Sequence, residues 1–139
     1  MAVNTRTSLT LDAAKLDGTS ALFNSGWIDI YDSTDGGQPA TPETSVGANV
    51  LIASLRFNAT AFAATVGRIA TANAITSGTA VATKTATWAR IYKSDHTTVL
   101  EDVSVGLATS NIILNSVAIQ TGATVSISSF TRTSPMQGA

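Results

Sequence analysis

Thr83-Lys84-Thr85-Ala86-Thr87-Trp88-Ala89-Arg90-Ile91-Tyr92 is followed, after Lys93, by Ser94-Asp95-His96-Thr97 and then by Thr98-Val99-Leu100-Glu101-Asp102-Val103-Ser104-Val105. Two runs rich in β-branched and aromatic residues flank a short group of residues that tolerate tight backbone bends. This arrangement predicts two antiparallel strands joined by a turn. Alternate residues of a strand face opposite ways, so Trp88, Arg90 and Tyr92 share one face and Ala89 and Ile91 the other.

The same texture extends to both sides of the hairpin. Trp27-Ile28-Asp29-Ile30-Tyr31 reads as a compact strand, with Trp27, Asp29 and Tyr31 on one face. A polar connection over residues 32–48 contains Asp35-Gly36-Gly37, Pro39 and Pro42. Residues 49–57 read as the next strand, with Leu51, Ala53, Leu55 and Phe57 on one side. A loop or helical turn is expected around Phe62. Alternation resumes over residues 67–75 and stops at Thr76-Ser77-Gly78. Residues 111–119 form a further strand, Gln120-Thr121-Gly122 turns, and residues 123–133 close the fold through Val125, Ile127 and Phe130.

Seven or eight short strands with a turn signal roughly every ten residues predict an all-β antiparallel sandwich or barrel, jelly-roll-like or immunoglobulin-like. Residues 1–24 stand apart. Val3, Thr5, Thr7, Leu9 and Leu11 alternate with polar residues, which predicts an extended arm. From Thr10 a short helix is expected, with Leu9, Ala13 and Leu16 on one face and Asp17-Gly18 ending it. The division is therefore an arm or short helix at 1–24, a β domain at 25–134 and a tail at 135–139.

Composition narrows the function. The chain has 139 residues, of which 22 are alanine, 22 threonine and 15 serine. Of 61 apolar residues only 39 are larger than alanine, which suits one modest core. Eight Lys and Arg against nine Asp and Glu leave a net charge of −1, without the basic footprint that binding nucleic acid requires. No apolar run approaches the roughly 18 residues of a membrane-spanning helix. The first residues lack the layout of a secretory leader. Without cysteine there are no disulfides and no thiolate metal sites. Charged residues make up 12% of the chain, against about 25% in a typical domain. A surface so poor in charge suits close-set neighbours.

Candidate chemistry is sparse. His96, the single histidine, lies in the hairpin turn and reads as a solvated turn residue, since periodicity brings no Ser/Asp/His set together. Asp29, Asp32 and Asp35 lead into Gly36-Gly37 and, with Glu43, form an oxygen-rich stretch. Their spacing differs from the alternate ligands of a calcium loop, and a polar strand-to-loop transition accounts for them. Glu101 and Asp102 are adjacent and so point to opposite faces, which excludes a paired-carboxylate acid–base site. One of them is expected to meet Lys84 or Arg90 in a surface contact of little energetic weight. Trp27, Tyr31, Trp88 and Tyr92 could stack on a sugar ring if exposed, which would make the chain a carbohydrate-binding module. Burial in the core or a subunit contact is the simpler expectation. There is no nucleophile elbow, phosphate-cradling loop or zinc signature, so no catalytic residue, cofactor or metal is assigned and no enzyme activity is expected.

Residues 85–95 and 114–130, with Ile28-Asp29-Ile30-Tyr31-Asp32 and Pro39-Ala40-Thr41-Pro42, resemble a group of small cysteine-free proteins of tailed bacteriophages and prophages. The resemblance spans most of residues 26–131. It departs at His96, where Asp-Gly is usual, and is looser over residues 106–111. It implies a virion structural protein, first of all a capsid decoration (cement) protein made in the bacterial cytoplasm and resident on the capsid surface. The implied partners are the major capsid protein and further copies of the chain, as a dimer or trimer, with no nucleic acid or membrane involved. A tail tube, baseplate or fibre component is the alternative. The arm at 1–24 is expected to extend over a neighbour.

Overall fold

The computed structural model describes residues 8–34 and 36–133. Residues 1–7 of the arm or short helix expected at 1–24 and the tail at 135–139 lie outside the described residues, while Leu9 and Leu11, whose alternation predicted extension, are helical. The chain begins with α1 (Leu9–Ser20), whose first turn is capped by the Ser8 side chain accepting from the Leu11 amide at 3.1 Å. Ser8 thus satisfies one of the N–H groups that a helix start leaves open. The helix does not stop at Asp17-Gly18 as expected. The Asp17 carboxylate accepts from the Thr65 amide and hydroxyl, and the Thr19 and Ser20 hydroxyls bond back to the carbonyls of Lys15 and Leu16. The buried stripe is Asp12, Leu16 and Ser20, while Leu9 faces solvent. A 3₁₀ turn at Ala21–Phe23 then leads into the sheet.

Among the described residues eleven strands follow: β1 (Trp27–Asp32), β2 (Val50–Arg56), β3 (Ile69–Thr71), β4 (Gly78–Thr79), β5 (Lys84–Thr85), β6 (Trp88–Tyr92), β7 (Val99–Gly106), β8 (Ile112–Leu114), β9 (Ala118–Ile119), β10 (Thr124–Val125) and β11 (Ile127–Thr133). Seven of them form one sheet in the order β2-β1-β6-β7-β8-β11-β3, and the rest form two ladders, β10-β4 and β5-β9. The protein is mostly β, as its sequence indicates, with two corrections. The large sheet is open, ending at β2 and β3, and is not a closed barrel. It is also mixed rather than antiparallel, because β8 lies parallel to β7 through Val105↔Ile112 and Gly106↔Ile113. With only two residue pairs to align, that parallel contact needs no long crossover.

Three expected strands divide. Residues 83–92 start beside β9, and the Ala86 amide donates to the Val117 carbonyl. The Thr87 amide then donates to the Tyr31 carbonyl, carrying the chain into the large sheet as β6. Residues 111–119 split into β8 and β9, and residues 123–133 into β10 and β11, as the chain again moves between ladder and sheet. In β2 the register slips between Ile30↔Ala53 and Tyr31↔Leu51, so Ile52 is an extra residue opposite the junction. That bulge turns Leu51 to the face of Tyr31 and away from Ala53 and Leu55, with which it was expected to align.

Cross-strand partners share a face, which assigns the core. Ile28 stands between Leu55 and Ile91, and Ile30 between Ala53 and Ala89. Val103 continues from Ala89, and Ile112 faces Phe130. Leu16, Phe23, Ala80, Ala86, Ile119 and Val125, from the helix, the 3₁₀ turn and the ladder segments, close over this face. Phe23, Phe57, Phe62 and Phe130 interlock, with neighbouring centroids 5.3–5.9 Å apart. Both sheet edges are covered. The Thr76 and Val81 amides donate to carbonyls of β2 at 2.9 and 2.8 Å, and the Val66 and Ala63 amides to carbonyls of β3 at 3.0 and 2.9 Å.

Candidate functional site

The chemistry gathers on the other face of the sheet. Register brings Trp27 beside Arg56 and Tyr92, Asp29 beside Ser54 and Arg90, and Tyr31 beside Trp88, while Arg90 in turn faces Asp102. The two strand faces anticipated from alternation therefore merge into one aromatic and charged surface.

Its inner part is closed. Trp88 is fully buried and stacks on Tyr31, with centroids 4.9 Å apart and planes 19° from parallel. Arg90 donates from Nε to Asp102 Oδ1 at 2.7 Å and from Nη2 to Asp102 Oδ2 at 3.0 Å. Both side chains are almost wholly shielded from water, which corrects the expectation of a weak surface contact. The bond to Asp102 raises the Arg90 pKa above its usual value, against the opposing effect of burial. The remaining guanidinium donors reach the carbonyls of Thr44 at 2.7 Å and Thr41 at 3.3 Å in the long connection. Burial pushes both tyrosine hydroxyls, Tyr31 and Tyr92, above their ordinary range, and Asp29 adds to the effect in each case.

The outer part is a clasp. His96 has a left-handed backbone with φ 57°, a conformation that favours glycine or asparagine. Its Nε2 lies 2.9 and 3.0 Å from the two carboxylate oxygens of Asp29, which also accepts from the Ser54 hydroxyl at 2.7 Å. The imidazole stacks on Trp27 at 4.5 Å, with planes 8° apart, and meets Tyr92 edge-on. From the β2 side, the Arg56 guanidinium lies 4.6 Å over Trp27 while its Nε donates to the Ser25 carbonyl. His96 is thus no freely solvated turn residue. The structure assembles Ser54, Asp29 and His96, which periodicity did not connect. The hydroxyl and the imidazole both engage the carboxylate, however, so this is not a nucleophile–base arrangement. The available signal was a histidine at a turn position suited to glycine, together with an aspartate in the middle of an otherwise apolar strand.

The other candidates are dispersed. The Asp32 carboxylate bonds the hydroxyl and amide of Thr34, and the hydroxyl bond, assisted by Lys84 nearby, lowers its pKa. Asp35 lies outside the described residues, and Glu43 is exposed. No group of three His, Cys, Asp or Glu that could hold a metal occurs among the described residues. Glu101 points to the face opposite Asp102, as expected, into a cleft of about 140 Å³ beneath α1. There it stands 3.8 Å from Arg132, whose guanidinium bonds the Thr19 and Ser20 hydroxyls and lies over Phe23. Burial raises the Glu101 pKa and lowers that of Arg132.

An aromatic platform for a saccharide needs free ring faces. Trp88 is stacked on Tyr31 with the Arg90 guanidinium over its ring, and Trp27 is stacked on His96 with the Arg56 guanidinium over its ring. No described helix is long and apolar enough to cross a membrane. The chain matches no protein-family model, no curated protein and no solved structure.

Proposed function

We propose that this protein is a structural component of a tailed-bacteriophage virion, a decoration protein that binds the major capsid shell from outside and stabilises it as oligomeric β domains. Its partners in this reading are the major capsid protein and copies of itself, and the two small ladders serve as the second layer of a β-sandwich. The observation that carries the proposal is one apolar corner. The turn between Val66 and Ile69 presents Val66 at 81% exposure and Ile69 at 47%. Arg68 in that turn pairs with Asp12 at 2.6 Å, which places it beside the first turns of α1, where Leu9 is also exposed. Thr133 pairs with Ile69, so both ends of the described chain reach this corner.

Exposed apolar groups beside both ends of the described residues suit attachment to another protein. The low charge and the likeness to small phage proteins support the same reading. Because the sheet edges are covered, adhesion rests on side-chain burial at the corner, and strand addition to the large sheet is not part of the proposal. The test is co-sedimentation with undecorated capsids of the parent phage. Wild-type chain is expected to bind, and a Leu9→Asp/Val66→Asp variant is expected to fold and stay in solution. Equal binding by the two proteins would remove the corner from the account, and density confined to the tail would favour the tail alternative.

A further inference from the structure

We propose that residues 38–46 form a hinged strap that lifts from the sheet by itself and frees the Arg90 and Asn49 side chains that lie against Trp88. The segment runs between two left-handed glycines, Gly37 at φ 69° and Gly47 at φ 60°, and neither has any atom within 4 Å of where a Cβ would stand. Both positions suit hinges, since glycine adopts this backbone without strain, and Gly37 is held only by hydrogen bonds from its amide to the Ser33 carbonyl and from Asn49 to its own carbonyl. The strap contributes no side chain to the hydrophobic core, so raising it leaves the core intact.

Two side chains hold it down. Asn49, itself buried, donates from Nδ2 to the carbonyls of Gly37 at 2.7 Å and Val46 at 2.6 Å, tying the two ends of the strap together. Its Oδ1 accepts from the Trp88 indole N–H at 3.1 Å. Arg90 grips the middle through the Thr41 and Thr44 carbonyls. The strap is thus fastened by polar bonds to Asn49 and Arg90, and water can replace such bonds at modest cost when the segment lifts. Long connections of this kind are drawn from the low-stability end of a fold and serve as gates over functional surfaces.

The Trp88 indole N–H reports opening directly, since it is bonded to Asn49 beneath the strap, and Trp27 supplies the second indole resonance as a reference. Hydrogen exchange of the full chain is measured by NMR across low denaturant concentrations, for wild type, Asn49→Asp and Arg90→Lys. Asn49→Asp keeps the acceptor for Trp88 and turns the two donated bonds into repulsions, and Arg90→Lys keeps the charge beside Asp102 while losing the fork. The Trp88 indole is expected to exchange at least about tenfold faster than the Ile91 amide, with little dependence on denaturant, as local openings do. Each variant is expected to accelerate the indole by about tenfold more than it accelerates the amide. If the wild-type indole shares the rate and denaturant slope of the Ile91 amide, or if the variants accelerate both equally, the strap does not move independently. The wild-type comparison decides the matter even if a variant fails to fold.

Discussion

Replacing His96 with glycine separates the two readings of this residue by sign. Were His96 only a turn residue at φ 57°, glycine would relieve a left-handed strain of about 1 kcal/mol and the protein would gain stability. In the clasp, glycine deletes a bond to a buried carboxylate, worth about 1.5–3 kcal/mol, and leaves Asp29 with Ser54 as its remaining hydrogen-bonded side chain. It also removes a stacked contact with Trp27 worth about 0.5–1.5 kcal/mol. The imidazole side chain keeps 36% of its surface in water, so the lower ends of these ranges apply. With the relieved strain subtracted, His96→Gly is expected to lose about 1–2 kcal/mol. For a chain of this length that corresponds to a fall in Tm of about 3–8 °C. Urea unfolding followed by circular dichroism, with the slope unchanged between proteins, gives the difference. A glycine variant as stable as wild type, or more so, refutes the clasp.

Asp102→Asn leaves Arg90 as a buried charge without its counter-ion and is expected to cost about 3–5 kcal/mol, whereas the Arg90→Met/Asp102→Leu double variant loses clearly less than the two single changes added together. Denaturant midpoints of wild type, Asp102→Asn, Arg90→Met, Asp102→Leu and the double variant test this. Phe130→Ala opens a fully buried end of the phenylalanine cluster and is expected to cost about 3–5 kcal/mol, read from the thermal midpoint. Burial raises the folded-state pKa of Glu101, so between its unfolded and folded values the native state binds more protons than the unfolded state does. The Glu101 contribution to stability therefore falls as pH rises from the ordinary glutamate value through the raised folded-state value. Glu101→Gln is expected to flatten this slope in a pH series of unfolding free energies, and an unchanged slope counts against the assignment.

The β1 strand and the β6–β7 hairpin were legible from their β-branched and aromatic residues and the turn at residues 94–97. Alternation placed Trp27, Asp29 and Tyr31 on one face of β1 and Trp88, Arg90 and Tyr92 on one face of β6. The register slip that leaves Leu100 extra in β7 was not legible. What alternation cannot show is where a strand changes partner. Ala86-Thr87, residues 115–117 and Ser126 are short polar or small-residue steps at which the chain moves between a ladder and the large sheet, and nothing in local propensity marks them. The bulge at Ile52 is hidden for a similar reason, since Val50-Leu51-Ile52-Ala53 is apolar throughout and carries no phase. The clasp depended on contact across 67 positions between His96 and Asp29, which only the tertiary arrangement supplies. That Glu101 or Asp102 would meet Lys84 or Arg90 across the hairpin was legible, but which pair forms was not, and its burial comes from the Thr41 and Thr44 carbonyls of a connection without periodicity.

The central proposal is attachment to the capsid exterior, and a cryo-electron microscopy reconstruction of the parent virion tests it most directly. The account predicts this β domain repeated over the outside of the head lattice, with the corner of Leu9, Val66 and Ile69 turned toward the major capsid protein. A reconstruction that places the domain only in the tail, or that lacks it altogether, contradicts the account.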